Sequence, residues 1–476
     1  MNAVVASQAE QLFTQGLEWH RQGQLALALA AYEQALQLQP GHFDALHHIG
    51  ILAYQAGELP VAEQFLQAAL AGGARVASVH SNLGNVLKAA GRFEEALASY
   101  DRAIALDAAN ADAHYNRGNT LQTLGCFEQA LASYDRAIAL QASDAQAWNN
   151  RAVVLQELKR FDEALESLDA VLTLNPDHAE ARNNRGNVLA RLGRHEDALD
   201  SFARLLACRP DYADALVNRA KVSKDLGRFD ASQADLEHAI ALAPELAAAH
   251  WNLGLLSLLR GRLAEGWQCH EWRWRIEPKT EPRSFDQPLW LGEESLAGRT
   301  ILLWAEQGLG DTLQFCRYAE LAKARGATVI LEVQQPLAGL LAPLAHHVVA
   351  KGDPLPPFDY QCPLMSLPLA FGTELDTIPW QGPYLHADRE REQAWRERLG
   401  PSNKPRVGLA WSGNPRHKND HKRSIAFAQL AQALSPACEF VSLQKEYRDG
   451  DAELLEASPV RDLSVTPFLR IVSSIA

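Results

Sequence analysis

Two short loops in the C-terminal part of the chain combine residue types that could do chemistry. The first reads Glu306-Gln307-Gly308-Leu309-Gly310-Asp311 and follows an apolar run at 301–304. Glycines placed after a strand let a backbone approach a ligand, and the N-terminus of the helix that follows favours an anion. A dinucleotide-binding turn asks for a third glycine, and position 313 is Leu, so the loop does not specify NAD. The second loop reads Ser412-Gly413-Asn414-Pro415-Arg416-His417 and continues through Lys418, Lys422, Arg423 and Ser424. Between Lys404 and Arg423 stand six Lys or Arg and one acid, Asp420, in a chain whose net charge is −13. A basic loop after a strand suits a diphosphate; it reads equally as a solvated basic surface. A third constellation is a ladder of amides, Asn82, Asn116, Asn150, Asn184, Asn218 and Asn252, each 34 from the next. Paired donors and acceptors at a repeating distance suit an extended peptide backbone. Asn85, Asn119 and Asn187 lie three residues on from a ladder member and share its helix face. Helix packing or solubility is the alternative role for all of them.

The ladder belongs to a repeat that runs over residues 9–278. Gly16, Gly50, Gly84, Gly118, Ala152, Gly186, Ala220 and Gly254 recur at intervals of 34, and a second small-residue register follows at Ala28, Ala62, Ala96, Ala130, Ala164, Ala198, Ser232 and Gly266. Between them lies a turn register, Gly23, Gly57, Gly91, Gly125, Gly193, Gly227 and Gly261, with Lys159 as the exception. Small residues at both crossing points let two antiparallel helices approach, and the glycine between them takes the left-handed conformation that ends the first helix. Pro40, Pro176, Pro210, Pro244 and Pro278 close several units. A single such pair cannot bury its own apolar face, so the units are expected to stack. The eighth unit ends with Trp267, Trp272 and Trp274 around Arg273, which reads as a seal against the next domain or, alternatively, as sugar-stacking rings.

After a proline-bearing stretch at 277–299 the periodicity changes. Strands are expected at 301–304 and 328–333 with a helix between them to about Arg325, capped by Gly326. A second set is expected at 407–411 and 440–443 with a helix from about Phe427 to Leu434. Strand, glycine turn, helix, strand implies a parallel sheet of Rossmann-like type.

Residues 271–476 hold 23 Lys and Arg against 26 Asp and Glu, so most of the net negative charge lies in the repeats. That disfavours nucleic acid, whose phosphates need clustered cations. Six cysteines (Cys126, Cys208, Cys269, Cys316, Cys362, Cys438) without a Cys-x-x-Cys pair argue against a zinc ribbon or a disulfide scaffold. The first 16 residues do not read as a signal peptide. The longest membrane candidate, 337–350, is short and holds Pro343, His346 and His347. A soluble cytoplasmic protein is expected.

The period, the Asn-x-Gly and Ala positions and the closing prolines resemble the tetratricopeptide repeat (TPR) across all eight units. The resemblance implies an all-α superhelical solenoid over residues 1–276 with its first helices on the concave side. The similar O-linked N-acetylglucosamine transferases grip acceptor polypeptides with an asparagine ladder. This implies peptide binding at Asn82, Asn116, Asn150, Asn184, Asn218 and Asn252, starting at the third repeat because the first two carry Thr14 and His48.

Residues 300–445 resemble the glycosyltransferase domain often fused to such repeats in bacteria, similar to the ADP-heptose heptosyltransferases. That resemblance implies a two-lobed GT-B arrangement after a linker at 277–299, with a first Rossmann-like lobe at 300–400 and a second at 401–476. It implies an inverting transfer in which Asp311 takes the proton from an acceptor hydroxyl, while Gly308, Gly310, Ser412, Gly413, Asn414, Lys422 and Arg423 serve a nucleotide-sugar donor. No metal or other cofactor is implied. Asp311 also reads as a simple helix cap. The second lobe is expected to be incomplete, since no strand–loop–helix segment is legible after Lys445. Two functions follow: a glycosyltransferase acting on a polypeptide or glycan held by the repeats, or a peptide-binding scaffold with a non-catalytic glycosyltransferase remnant.

Overall fold

A computed structural model describes residues 3–71, 76–276, 283–380, 382–413, 420–444 and 446–462. Pro278 and Pro282 lie outside them. The chain divides into two compact units, Met1–Ala249 and His250–Ala476, the division falling within the helix Ala247–Leu259 of the eighth repeat.

The first unit is a stack of helix pairs. First helices such as Ala77–Ala89, Ala111–Thr123, Ala145–Glu157, Ala179–Arg191 and Ala213–Asp225 alternate with second helices such as Phe93–Leu106, Phe127–Leu140, Phe161–Leu174, His195–Cys208 and Phe229–Leu242. Local chemistry starts and stops them. Asn110 Oδ1 accepts from Ala113 N at 2.9 Å and Asp144 Oδ1 from Gln146 N at 2.9 Å, each satisfying an orphan donor of a first turn. All seven turn glycines have positive φ, and Lys159 takes φ 60° in the same place.

Side-chain size is matched where the paired helices cross. Gly16 faces Tyr32, Gly50 Leu66, Gly84 Tyr100, Gly118 Tyr134 and Gly186 Phe202, and a Cβ at any of these glycines would come within 2.5–2.7 Å of the facing side chain. Where the small residue is Ala152 or Ala220, the residue sixteen positions on is Leu168 or Leu236. Successive first helices pack more closely on one another than successive second helices do, so the stack bends with the first helices inside.

The second unit contains two small parallel sheets. In the first, β1 (Thr300–Trp304), β2 (Thr328–Val333), β3 (His347–Ala350) and β4 (Tyr360–Pro363) are ordered β3-β2-β1-β4. Ile301 and Leu303 join one core with Val329, Leu331 and Cys362, while Leu302 and Trp304 join another with Ile330. Both faces are therefore covered, which is why β1 reads as an unbroken apolar run. The single helix expected after β1 is two, Leu309–Phe315 and Tyr318–Ala324. β3 lies in the stretch weighed as a membrane span, and no helix among the described residues is long and apolar enough to cross a membrane. Part of the expected linker is core: Trp290 is completely buried, and Leu289 bridges to Gln361 beside β4.

In the second sheet, β5 (Arg406–Leu409), β6 (Glu439–Ser442) and β7 (Val460–Arg461) are ordered β5-β6-β7 around Trp411, Phe427, Phe440, Leu455 and Val460. The acidic stretch after Lys445 does hold a helix, Asp451–Glu456, and then β7. Its signal is faint because it gives the core only scattered residues, Tyr447 against Trp411 and the buried Leu455, before a two-residue strand.

Candidate functional site

The amide ladder lies on the first helices, half-buried except for Asn252, which is buried. Asn82 Nδ2 donates to His47 Nε2 at 2.8 Å, Asn184 Nδ2 to Asn149 Oδ1 at 3.3 Å, and Asn218 Nδ2 to Asn183 Oδ1 at 3.1 Å. Asn150 Nδ2 donates to Tyr115 Oη at 3.1 Å and to Asn119 Oδ1 at 2.9 Å. In four of the six, then, the amide reaches back 35 positions to the preceding first helix. The Asn116 side chain makes no hydrogen bond among the described residues; the position 35 back from it is Ser81. Asn85 and Asn119 accept from the buried tyrosine hydroxyls Tyr100 Oη and Tyr134 Oη, each at 2.7 Å. These amides thus join repeats and satisfy buried phenols. The singly donating Asn82 and Asn184 still keep a carbonyl and a second N–H, whereas the Asn218 carbonyl accepts from Lys221 Nζ at 3.3 Å and only its second N–H remains.

A second ladder runs beside the first. Arg117, Arg151 and Arg185 donate through Nε to Asp101, Asp135 and Asp169 on the preceding second helix at 2.7, 2.6 and 2.7 Å. Arg219 instead pairs with Asp235 through two nitrogens at 2.8 and 2.6 Å. Sequence reasoning missed this set, although its signal is plain: an arginine sits between each ladder asparagine and its small residue in the fourth to seventh repeats.

In the second unit, Asp311 Oδ2 accepts from Gly308 N at 3.1 Å, closing the first turn of the helix Leu309–Phe315. Neither Gly308 nor Gly310 has a positive φ, and a Cβ on Gly310 would meet nothing within 4 Å. Ligands of parallel sheets sit at the carboxyl ends of the strands where the strand order reverses, here between β1 and β4. That position is filled by the chain itself. Arg273 Nη2 donates to both Glu306 carboxylate oxygens at 3.1 Å and to Ser366 Oγ at 2.8 Å, and Arg273 Nη1 donates to Glu271 Oε1 at 2.6 Å. Glu306 also accepts from Met365 N at 3.2 Å. The Arg273 and Glu306 side chains are 8% and 4% exposed. Burial pushes the Glu306 carboxyl up, against the pull of Arg273. Around this cluster Trp267 packs on Phe315 at 5.7 Å, Trp274 on Trp304 at 5.9 Å, and Trp272 on His250 at 3.8 Å. All three tryptophans pack on residues of their own unit.

The second loop is braced by Gln444. Its Oε1 accepts from Trp411 N at 3.0 Å and Ser412 N at 3.2 Å, and its Nε2 donates to Ser412 O at 2.8 Å. Gly413 N donates to Ser424 Oγ at 3.0 Å, and Ser424 Oγ donates to Asp420 Oδ1 at 2.6 Å. Arg423 is exposed; Asn414 and the Lys422 side chain lie outside the described residues. Among the described residues no hydrogen bond or ion pair joins the Gly308–Asp311 loop to Ser412 and Gly413.

Residues 14–76, 154–213 and 217–266 match the family model described as tetratricopeptide repeat, as do residues 111–144 with a second model, and residues 84–125 match one described as TPR repeat. The N-terminal solenoid is built of tetratricopeptide repeats. Over 225 residues the chain is 28% identical to Protein FlbA of Caulobacter vibrioides, a match covering 42% of this chain and 37% of that protein. Among solved structures it is similar to YrrB, described as a TPR protein with an unusual peptide-binding site, at 27% identity and TM-score 0.35, covering 39% of this chain and 95% of that one. The C-terminal part of a TPR repeat-containing protein from Cytophaga hutchinsonii aligns at 16% identity and TM-score 0.44, covering 51% of this chain and 99% of that one.

Within the TPR solenoid, the first helices of the second and third repeats enclose a 230 Å³ cavity lined by Ile51, Tyr54, Gln55, Asn82 and Asn85, among others. Its lining combines the apolar Ile51, Leu66 and Val86 with the amides of Gln55, Asn82 and Asn85, and Asn82 is the first rung of the ladder.

Proposed function

We propose that this protein is a scaffold whose TPR solenoid receives an extended polypeptide along the inner faces of its first helices. The observation that supports this most is the cavity at Tyr54 and Asn82. It suits one apolar side chain, while the unbonded Asn116 amide and the second N–H groups of Asn82, Asn184 and Asn218 are on hand for backbone contacts. Six free cysteines suit a reducing, cytoplasmic setting. The test is calorimetric selection from an extended-peptide library using the full chain. A selected peptide is expected to lose most of its affinity in Asn116→Ala and Tyr54→Ala and to keep it in an exposed Arg102→Ala control. A library without any saturable binder, or affinity indifferent to both inner-face changes, overturns the reading.

A second reading is that the C-terminal unit descends from a Rossmann-like GT-B glycosyltransferase and transfers a sugar from a nucleotide-sugar donor to a protein or glycan acceptor. The glycine loop after β1, with the reversal of strand order beside it, favours descent. Against catalysis stand the Asp311 carboxylate bonded to Gly308, the Arg273–Glu306 cluster in the crevice, and the Ser412 and Gly413 amides already satisfied. The non-catalytic remnant is therefore the form we favour. Titration with UDP-, GDP- and ADP-sugars decides: no heat from a folded chain fits the remnant, whereas binding lost in Arg423→Ala and transfer lost in Asp311→Ala restore the enzyme.

A further inference from the structure

In the fourth and fifth repeats the ladder arginine is engaged at both ends. Arg117 Nη1 donates to Ser133 Oγ at 2.7 Å and Arg151 Nη1 to Ser167 Oγ at 2.6 Å, in addition to their aspartates. The sixth repeat departs from this. Ser201 turns its hydroxyl to Arg182 O at 2.9 Å, and the terminal nitrogens of Arg185 meet no protein acceptor among the described residues. Arg182, one turn earlier, donates to Pro176 O and pairs with no carboxylate among the described residues. Arg204 pairs with Asp200 at 2.9 Å, both side chains being more than half exposed, an arrangement that an incoming anion can exchange.

These three arginines line a cleft of 440 Å³ between the second helices of the fifth and sixth repeats and the first helix Ala179–Arg191. Three guanidiniums face two carboxylates there, Asp169 and Asp200, so one positive charge is in surplus within an acidic solenoid. The residues equivalent to Arg182 in neighbouring repeats are His80, His114, Trp148 and Leu216, so helix pairing does not require an arginine. Arg182 and Asn184 stand two apart on one helix and point to opposite sides. The cleft is therefore separate from the inner face.

We propose that this cleft is an oxyanion site in which Arg182, Arg185 and Arg204 hold one phosphate or carboxylate group. Guanidinium forks match either anion through paired N–H donors. The test titrates the full chain with inorganic phosphate and, separately, with glutarate, at an ionic strength held constant with chloride. Saturable heat is expected from at least one of them. Affinity should fall at least about tenfold in Arg182→Ala, less in Arg182→Lys, and stay unchanged in the exposed Arg136→Ala. Phosphate alone supports a phosphate ester as ligand, and glutarate alone an acidic side chain. Heat no greater than chloride gives, or binding that survives the double change Arg182→Ala, Arg204→Ala, overturns the proposal. Should Arg182→Ala not fold, protection of Arg182 and Arg204 from phenylglyoxal by the bound anion is read by mass spectrometry on the unaltered chain; modification undiminished by saturating anion overturns it equally.

Discussion

Gly118 lies against the ring of Tyr134 so closely that a Cβ on Gly118 would sit 2.7 Å from Tyr134 Cε1. Tyr134 is completely buried and its hydroxyl is bonded to Asn119 and Gln122, so the ring cannot swing aside. Gly118→Ala should therefore destabilise the solenoid by about 1–3 kcal/mol through overpacking. Ala152 and Ala220, whose partners sixteen positions on are Leu168 and Leu236, point to the remedy: adding Tyr134→Leu should recover part of the loss. Urea denaturation of the single and double variants checks both; equal stability of Gly118→Ala and the unaltered chain would refute the size-matching account.

Lys159 holds a left-handed turn in which the other seven repeats place glycine. Its side chain is exposed, so relief of backbone strain dominates any change there. Lys159→Gly should raise stability by about 1 kcal/mol, seen as a higher urea midpoint with an unchanged slope. A lower midpoint would mean that the added freedom of the unfolded chain outweighs the strain.

His47 is buried, with Nε2 accepting from Asn82, and its pKa is lowered to about 4, chiefly by burial and then by His48. The unfolded chain, with an ordinary imidazole, binds the extra proton between about pH 6.5 and 4. Stability from this group is fully present above that window and is lost as pH falls through it, by up to about 3 kcal/mol. In His47→Gln the pH dependence of stability over that range should flatten by a comparable amount. A curve parallel to that of the unaltered chain would count against a neutral buried His47.

Removing Arg273 leaves two carboxylates, Glu271 and Glu306, without their cation in a buried site. Arg273→Met should destabilise the C-terminal unit by about 3–5 kcal/mol, and Glu306→Gln in the same chain should recover part of that. Because the Glu306 carboxyl is already raised, the folded Arg273→Met variant binds a proton more readily than the unfolded chain does. Its deficit should therefore shrink as pH falls through the raised value. A deficit that stays constant with pH would point to lost packing instead.

The solenoid was legible because its determinants are local and repeated. The two small-residue registers, the turn position with Lys159 as its exception, and the closing prolines each state a backbone or contact requirement that recurs every 34 residues. β1 and β2 were likewise visible as apolar runs bounded by turn residues, whereas β7, two residues long, offers no pattern to read. What the sequence could not decide was where the polar side chains spend their hydrogen bonds. The ladder asparagines look alike in one dimension, yet most reach 35 positions back while Asn116 meets no partner among the described residues, because the partner depends on which side chain the preceding helix presents. Arg273 and Glu306 stand 33 apart without any motif, and only the closing of the sheet between β1 and β4 brings them into one buried cluster. The repeat is determined by contacts between near neighbours in the chain, and the chemistry available on its surface by contacts between distant ones.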